Sequence, residues 1–317
     1  MNAQTTFTVA AAQAAPVYLD RQATLEKAVG FITEAAKNGA RLIVFPEAFI
    51  PAYPDWVWSV PGGNKHLLDS LYQELVDNAV AVPDETTQAL CKAARKAKIH
   101  IAMGINERNR KASNASLYNS LLYIDDAGEI LGVHRKLIPT AAERTVWAPG
   151  DGSTMHVFDT SIGRLGGLIC WENYMPLARQ AMYNHGTQIY VAPTWDYGDQ
   201  WIASLRHIAK EGGMYVIGCC IPLHIDDIPD RLEFKQLYPK GTEWINAGTS
   251  CVVAPSGKVI AGPLHEKEEL LYAEIDLGRA TAAKRMLDVA GHYARPDVFK
   301  FSVNQDPNSM LTSDGSQ

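Results

Sequence analysis

Apolar runs of strand length alternate with amphipathic runs of helix length along nearly the whole chain, and few folds accommodate that rhythm. "FTVAAAQ" precedes an amphipathic stretch from Arg21 to Lys37, and the buried-type strand "RLIVFPE" follows it. Helical patterning returns over residues 67–78 and 85–96. The strands "IHIAMGIN" and "LYNSLLYID" come next, then the turn "DDAGE" and the strand "ILGVHRK". The second half repeats the pattern: "GRLGGLIC", a helix over 175–184, "TQIYVAP", a helix over 200–211, and "MYVIGCC". A hairpin, "TSCVVAPSGKVIAGP", turns at Ser256-Gly257, and a last strand, "ELLYAEID", precedes a short helix. Helices of this length between buried strands predict the α/β class. The 317 residues could hold one large domain or two ordinary ones, and no Pro/Gly/Ser-rich linker divides them. The expectation is one domain over residues 1–303 and a polar tail over 304–317.

Apolar residues at 47% supply a sizeable core, and a net charge of -6 argues against a surface built to hold nucleic acid. No apolar run is long enough for a membrane span, and the N-terminus lacks the basic segment of a signal peptide. The five cysteines (91, 170, 219, 220 and 251) form no CxxC pair, and no HExxH occurs. Reduced thiols in a cytoplasm are expected, with no disulfide and no metal site. There is no GxxxxGK[ST] and no GxSxG, and "GDGSTM" at 150–155 lacks the third glycine of a dinucleotide fingerprint. Nucleotide chemistry and a serine-hydrolase elbow lose their markers.

Three short stretches carry chemistry. In "GGLICWEN", Cys170 ends an apolar run and helix-starting polar residues follow. A thiol there projects from a strand end beside the unpaired N–H groups of a turn, which favours the thiolate. In "LIVFPEAF", Glu47 sits at the mouth of a buried strand, where a carboxylate is either paired or raised in pKa. A raised pKa is what a general base working near neutrality needs. In "HRKLIPTAAER", Lys136 ends a strand, and Glu143 lies seven residues on. Taken singly, each residue has an ordinary reading: a buried small hydrophobe, a solvated carboxylate, a surface lysine.

Taken together, in this order and each at a strand end, "FPEAF", "HRKLIPT" and "CWEN" resemble the nitrilase superfamily of carbon–nitrogen hydrolases. The resemblance runs from "AAAQ" near the start to "GHYARPDVF" at 291–299, and "CWEN", "KLIPTAAER" and "GHYARPDVF" are similar to the true nitrilase branch. It implies a Glu-Lys-Cys triad of Glu47, Lys136 and Cys170, with Glu143 as second glutamate. It also implies an α-β-β-α sandwich whose subunits pair into an αββα-αββα dimer, or a higher homo-oligomer, through the helix at 175–184. Ala178 and Met182 are expected on that helix's outer face. The implied reaction turns a small-molecule nitrile into its carboxylic acid and ammonia through a thioimidate and a thioester, and requires no cofactor. An amidase or a cyanide-hydrolysing enzyme is the alternative. Lys136 and the backbone N–H of Trp171 are candidates to stabilise the tetrahedral states. Tyr53, Trp171 and Trp195 are assigned to the substrate pocket, with Trp56 and Trp147 as further candidates for its wall. The chain stops soon after RPDVF, whereas many nitrilases continue into an extension that helps build spiral filaments; a dimer is expected, a long filament is not.

Overall fold

A computed structural model describes residues 5–110 and 112–308, so the predicted tail from 309 onward lies outside the described residues. In chain order the first half runs β1 (Thr6–Gln13), α1 (Arg21–Lys37), β2 (Ala40–Val44), α2 (Trp56–Ser59), α3 (Lys65–Asn78), α4 (Glu85–Ala97), β3 (His100–Arg108), β4 (Leu117–Ile124) and β5 (Ile130–Arg135). The second half runs β6 (Phe158–Thr160), β7 (Gly163–Gly167), α5 (Pro176–Asn184), β8 (Ile189–Thr194), α6 (Asp199–Gly212) and β9 (Tyr215–Cys220). It closes with β10 (Pro222–His224), β11 (Trp244–Ala247), β12 (Cys251–Val253), β13 (Val259–Ala261), β14 (Glu269–Asp276) and α7 (Leu277–Ala283).

Among the described residues, two six-stranded sheets form, ordered β14-β1-β2-β3-β4-β5 and β13-β12-β9-β8-β7-β6, beside a small β10-β11 pair. Parallel pairing at the centre, β1-β2-β3 in one sheet and β7-β8-β9 in the other, gives way to antiparallel strands at the edges. Parallel strands need crossovers, and the amphipathic helices supply them. On α1, Leu25, Ala28, Ile32 and Ala35 recur at helical spacing, and Asp20 caps its start by accepting from the Ala23 N–H. That stripe and the Leu90–Ala94 face of α4 cover the outer face of the first sheet. Helices α5 and α6 cover the outer face of the second. Val9, Leu42, Val44, Leu165, Val191 and Ile217 meet between the sheets. The architecture is the α-β-β-α sandwich that was expected. Strand alternation sorts the cysteines: Cys219 points between the sheets and Cys220 towards α6.

Two strands stop earlier than their apolar runs suggest. Beyond Val44 the Phe45 N–H still reaches the Ala102 carbonyl, but Pro46 has no donor and the ladder ends there. Strand β7 stops at Gly167, and three residues on Cys170 sits at φ 51, a left-handed backbone no strand accommodates. A second correction concerns α5. Ala178 and Met182 are buried against the second sheet, and the exposed apolar side chain of this helix is Leu177. The expected tail is docked where it begins: the Asn304 carbonyl packs so closely on Gly152 that a Cβ there would lie 1.9 Å from it.

Candidate active site

Two strand ends of the first sheet bring a lysine between two carboxylates. Glu47 follows β2 and Lys136 directly follows β5; both side chains are fully buried. Lys136 Nζ donates to Glu47 Oε1 at 2.7 Å and to Glu143 Oε2 at 2.8 Å. Glu47 also accepts from Asn119 Nδ2 and from the Trp195 N–H, each at 2.7 Å. Glu143 is held by the Thr140 N–H at 2.6 Å and by the Tyr53 hydroxyl at 2.7 Å. Each of the four carboxylate oxygens has at least one donor in reach, which is what burying charge demands.

The second sheet delivers the thiol. Cys170 opens a 3-10 turn, Cys170–Tyr174, just beyond β7, and the Thr194 hydroxyl at the end of β8 donates to its Sγ at 3.1 Å. Ala48 (φ 51), Ala141 (φ 43) and Cys170 (φ 51) all hold left-handed backbone without being glycine. Each is a member of this cluster or adjoins it in sequence, the placement expected of strain that serves a site.

A cavity of about 280 Å³ opens over this cluster, lined by Tyr53, Trp58, Thr140, Glu143, Cys170, Trp171, Trp195, Asp196 and Tyr197. The three residues assigned to the pocket from sequence all line it. Tyr53 and Trp195 stack with ring centroids 4.3 Å apart and planes 4° from parallel, while Trp171 stands half exposed at the mouth. Trp147 and Trp56 do not line it. Trp147 packs edge-on to Tyr53 and donates its indole N–H to Asn106, and Trp56 is buried against Tyr18 and Phe234.

The electrostatics follow from burial. Burial pushes the Glu47 carboxyl above its ordinary pKa, against the pull of Lys136. Burial opposes the charged form of Lys136, but Glu47, Cys170 and Glu143 outweigh it and hold the ammonium well above the usual lysine range. Burial and then Glu47 raise the Cys170 thiol far above its ordinary value, with Lys136 the largest opposing influence. At rest the cluster holds a neutral thiol, a charged lysine and a carboxyl suited to take up a proton.

Residues 8–285 match the carbon-nitrogen hydrolase family. The chain belongs to that family. It is 41% identical to "Nitrilase 3" of Arabidopsis thaliana over 97% of this chain and 89% of that protein. It is likewise 41% identical to "Aliphatic nitrilase" of Sinorhizobium fredii (strain HH103), over 98% of this chain and 99% of that one. Nit3 of Saccharomyces cerevisiae, a member of branch 10 of the nitrilase superfamily, shares the fold at a TM-score of 0.71 and 22% identity, covering 92% of this chain and 97% of its own.

In this carbon-nitrogen hydrolase, several residues of the cluster had escaped sequence reasoning. Trp58, Thr140, Asp196 and Tyr197 line the cavity, Asn119 holds Glu47, and Thr194 holds Cys170. Asn119 carried a signal: a polar residue inside the apolar strand "LYNSLLYID" must be paired when buried. Asp196 accepts from the Trp171 indole at 2.9 Å and so fixes one wall to another. Among the described residues no group of three or more His, Cys, Asp or Glu side chains is placed to hold a metal ion, and no helix is long and apolar enough to cross a membrane.

Proposed function

We propose that this protein is a nitrilase that hydrolyses an organic nitrile to the carboxylic acid and ammonia, with Cys170 as nucleophile, Glu47 as general base, and Lys136 and Glu143 completing the site. The observation that carries the reading is Lys136, buried between two carboxylates, one of which, Glu143, lines the aromatic cavity together with Cys170. Homologues at 41% identity over nearly the full chain are named nitrilases, so an amidase or a cyanide-hydrolysing enzyme is not favoured.

A nitrile carbon is a weak electrophile and calls for a strong nucleophile, which a thiolate is. Glu47 takes the Cys170 proton as sulfur adds to C≡N; the displaced electron pair settles on nitrogen, which takes that proton back. The product is a thioimidate. Water adds to the same carbon, the C–N bond breaks, and ammonia leaves a thioester. A second water adds, the C–S bond breaks, and sulfur recovers a proton as the acid departs. An ammonium has three donors, and the two carboxylates occupy two of those on Lys136. The third remains for charge that develops in the tetrahedral states, beside the Trp171 N–H at the start of its turn. Tyr53, Trp171 and Trp195 hold the remainder of the substrate.

Both sheets contribute, so a single domain over residues 1–303 carries the activity. Cys91, Cys170, Cys219, Cys220 and Cys251 are all unpaired, which suits a cytoplasmic setting. Assembly as a homodimer is proposed through the face where exposed Leu177 on α5 adjoins Tyr293, Phe299 and Phe301, around a cavity of about 820 Å³. The deciding experiment is intact mass spectrometry during turnover of a nitrile panel. The expected result is a substrate-derived adduct mapped to Cys170, and no turnover by Cys170→Ala. Substantial activity in Cys170→Ala would overturn the mechanism.

A further inference from the structure

One buried ion pair beside the site has no part in the proton transfers. Glu172, two residues after Cys170, is fully buried, and its Oε1 accepts from the Leu137 N–H at 2.6 Å. Its Oε2 accepts from the Ile169 N–H at 2.7 Å and faces His134 Nε2 at 3.0 Å. The other ring nitrogen of His134, Nδ1, faces the Thr154 carbonyl at 3.2 Å. Two acceptors on the two ring nitrogens call for two N–H groups, and only the imidazolium has both. Burial opposes the charged ring, but Glu172 and the Thr154 carbonyl outweigh it and raise the His134 pKa.

The two N–H groups that Glu172 collects come from different sheets. Leu137 directly follows Lys136 at the end of β5, and its N–H lies in the rigid peptide plane shared with Lys136. Ile169 directly precedes Cys170 beyond β7. One carboxylate therefore ties the backbone bearing the lysine to the backbone bearing the thiol. On the far side of Cys170 the chain is held by Asn173, whose Nδ2 donates to the Cys170 carbonyl at 2.8 Å and to the Leu168 carbonyl at 3.0 Å. Asn173 is itself fixed by the Tyr190 hydroxyl at 2.7 Å. A cysteine at φ 51 keeps that conformation only where its surroundings impose it, and these contacts do so on both sides.

We propose that Glu172, paired with His134, is a positioning residue that spans the two sheets and sets the placement of Lys136 relative to the Cys170 thiol. This rests on the nitrilase reading above. An ordinary core ion pair with a helix-start cap would contribute to stability alone. The positioning role adds a demand on geometry, because both N–H groups must be met by one side chain of the right length. Glu172→Asp keeps the charge facing His134 but is one methylene too short to meet both. Glu172→Gln keeps the length but turns an N–H donor towards one of the two backbone donors.

The test measures kcat and KM for phenylacetonitrile or butyronitrile, whichever the parent turns over faster, on folded, monodisperse protein. The rate at which iodoacetamide alkylates Cys170 is followed by peptide mass spectrometry alongside. For both variants the expectation is a kcat lower by about a hundredfold, the effect of roughly an ångström of misplacement, with KM little changed. Alkylation of Cys170 should slow in parallel, because the thiolate loses its placement against Lys136. If Glu172→Gln does not fold, Glu172→Asp alone decides. Glu172→Asp with parental kcat and alkylation rate would overturn the proposal and leave a structural ion pair. Should Cys170→Ala remain active, the nitrilase reading itself fails, an outcome that the Glu172 variants cannot mimic.

Discussion

Lys136 shows how much one buried side chain can be asked to do. Its ammonium neutralises two carboxylates that have no other cation in contact among the described residues, and in the proposed reaction it also meets the charge of the tetrahedral states. Lys136→Met removes both services while keeping the volume. The expected result is a kcat lower by about a hundredfold or more with KM nearly unchanged, measured on the folded fraction. Stability should fall too, by about 3–5 kcal/mol, because Glu47 and Glu143 are left buried without their partner. A normal kcat with a raised KM would make Lys136 a binding residue instead. Glu47, Lys136 and Cys170 were legible in sequence only together, because the three stretches that carry them resemble one family in order and flanks. Thr194 and Asp196 were not, since each matters through a neighbour 24 or 25 residues away, and Asn119 showed only that it needs a partner, not that the partner is Glu47, 72 residues away.

At the scale of elements, hydrophobic period located most strands and helices, while backbone chemistry at their ends moved the boundaries. Pro46 stops β2 and the left-handed Cys170 follows the early end of β7, so apolar runs overstate both strands. The outward face of α5 cannot be read from its sequence, because Ala178 and Met182 could serve a core or a partner equally; the position of the second sheet decides it. Helix α2 escaped notice for a different reason. Its four residues are too few to show a period, and what fixes it is Asp55, buried at its start and accepting from the Tyr18 and Tyr238 hydroxyls. Burial, opposed by those two hydrogen bonds, raises the Asp55 carboxyl to about 6. Its unfolded value is near 3.9, so between the two the folded chain binds the extra proton. The sign follows: Asp55 favours folding most below about pH 4, and that advantage is lost as the pH rises through about 6, a change of roughly 3 kcal/mol. Unfolding free energies of the parent and Asp55→Asn at pH 4 and pH 7 should therefore diverge, the variant gaining relative to the parent at the higher pH. A constant difference would mean that Asp55 titrates normally.

For the whole molecule, the site is a seam. Glu47 and Lys136 come from one sheet, Cys170 and Thr194 from the other, so catalysis in the proposed mechanism depends on how the two sheets are set against each other. Anything that braces the outer face of the second sheet bears on the thiol. Helix α5 starts two residues after the end of the 3-10 turn that Cys170 opens, and its exposed Leu177 adjoins Phe299 of the closing segment. If this face pairs with a second copy as proposed, the partner buries Leu177 and Phe299, now 71% and 72% exposed, and presses α5 and the Cys170 turn onto the sheet beneath. Leu177→Glu combined with Phe299→Glu places charges on that face without touching the cavity at Cys170, and burying them unpaired in an interface is strongly unfavourable. The expected outcome is a monomer by light scattering, a lower kcat at unchanged KM, and a circular dichroism spectrum like the parent's. Monomers with full activity would show that the nucleophile turn is braced within its own subunit. A variant that stays dimeric would place the interface on another face of the molecule.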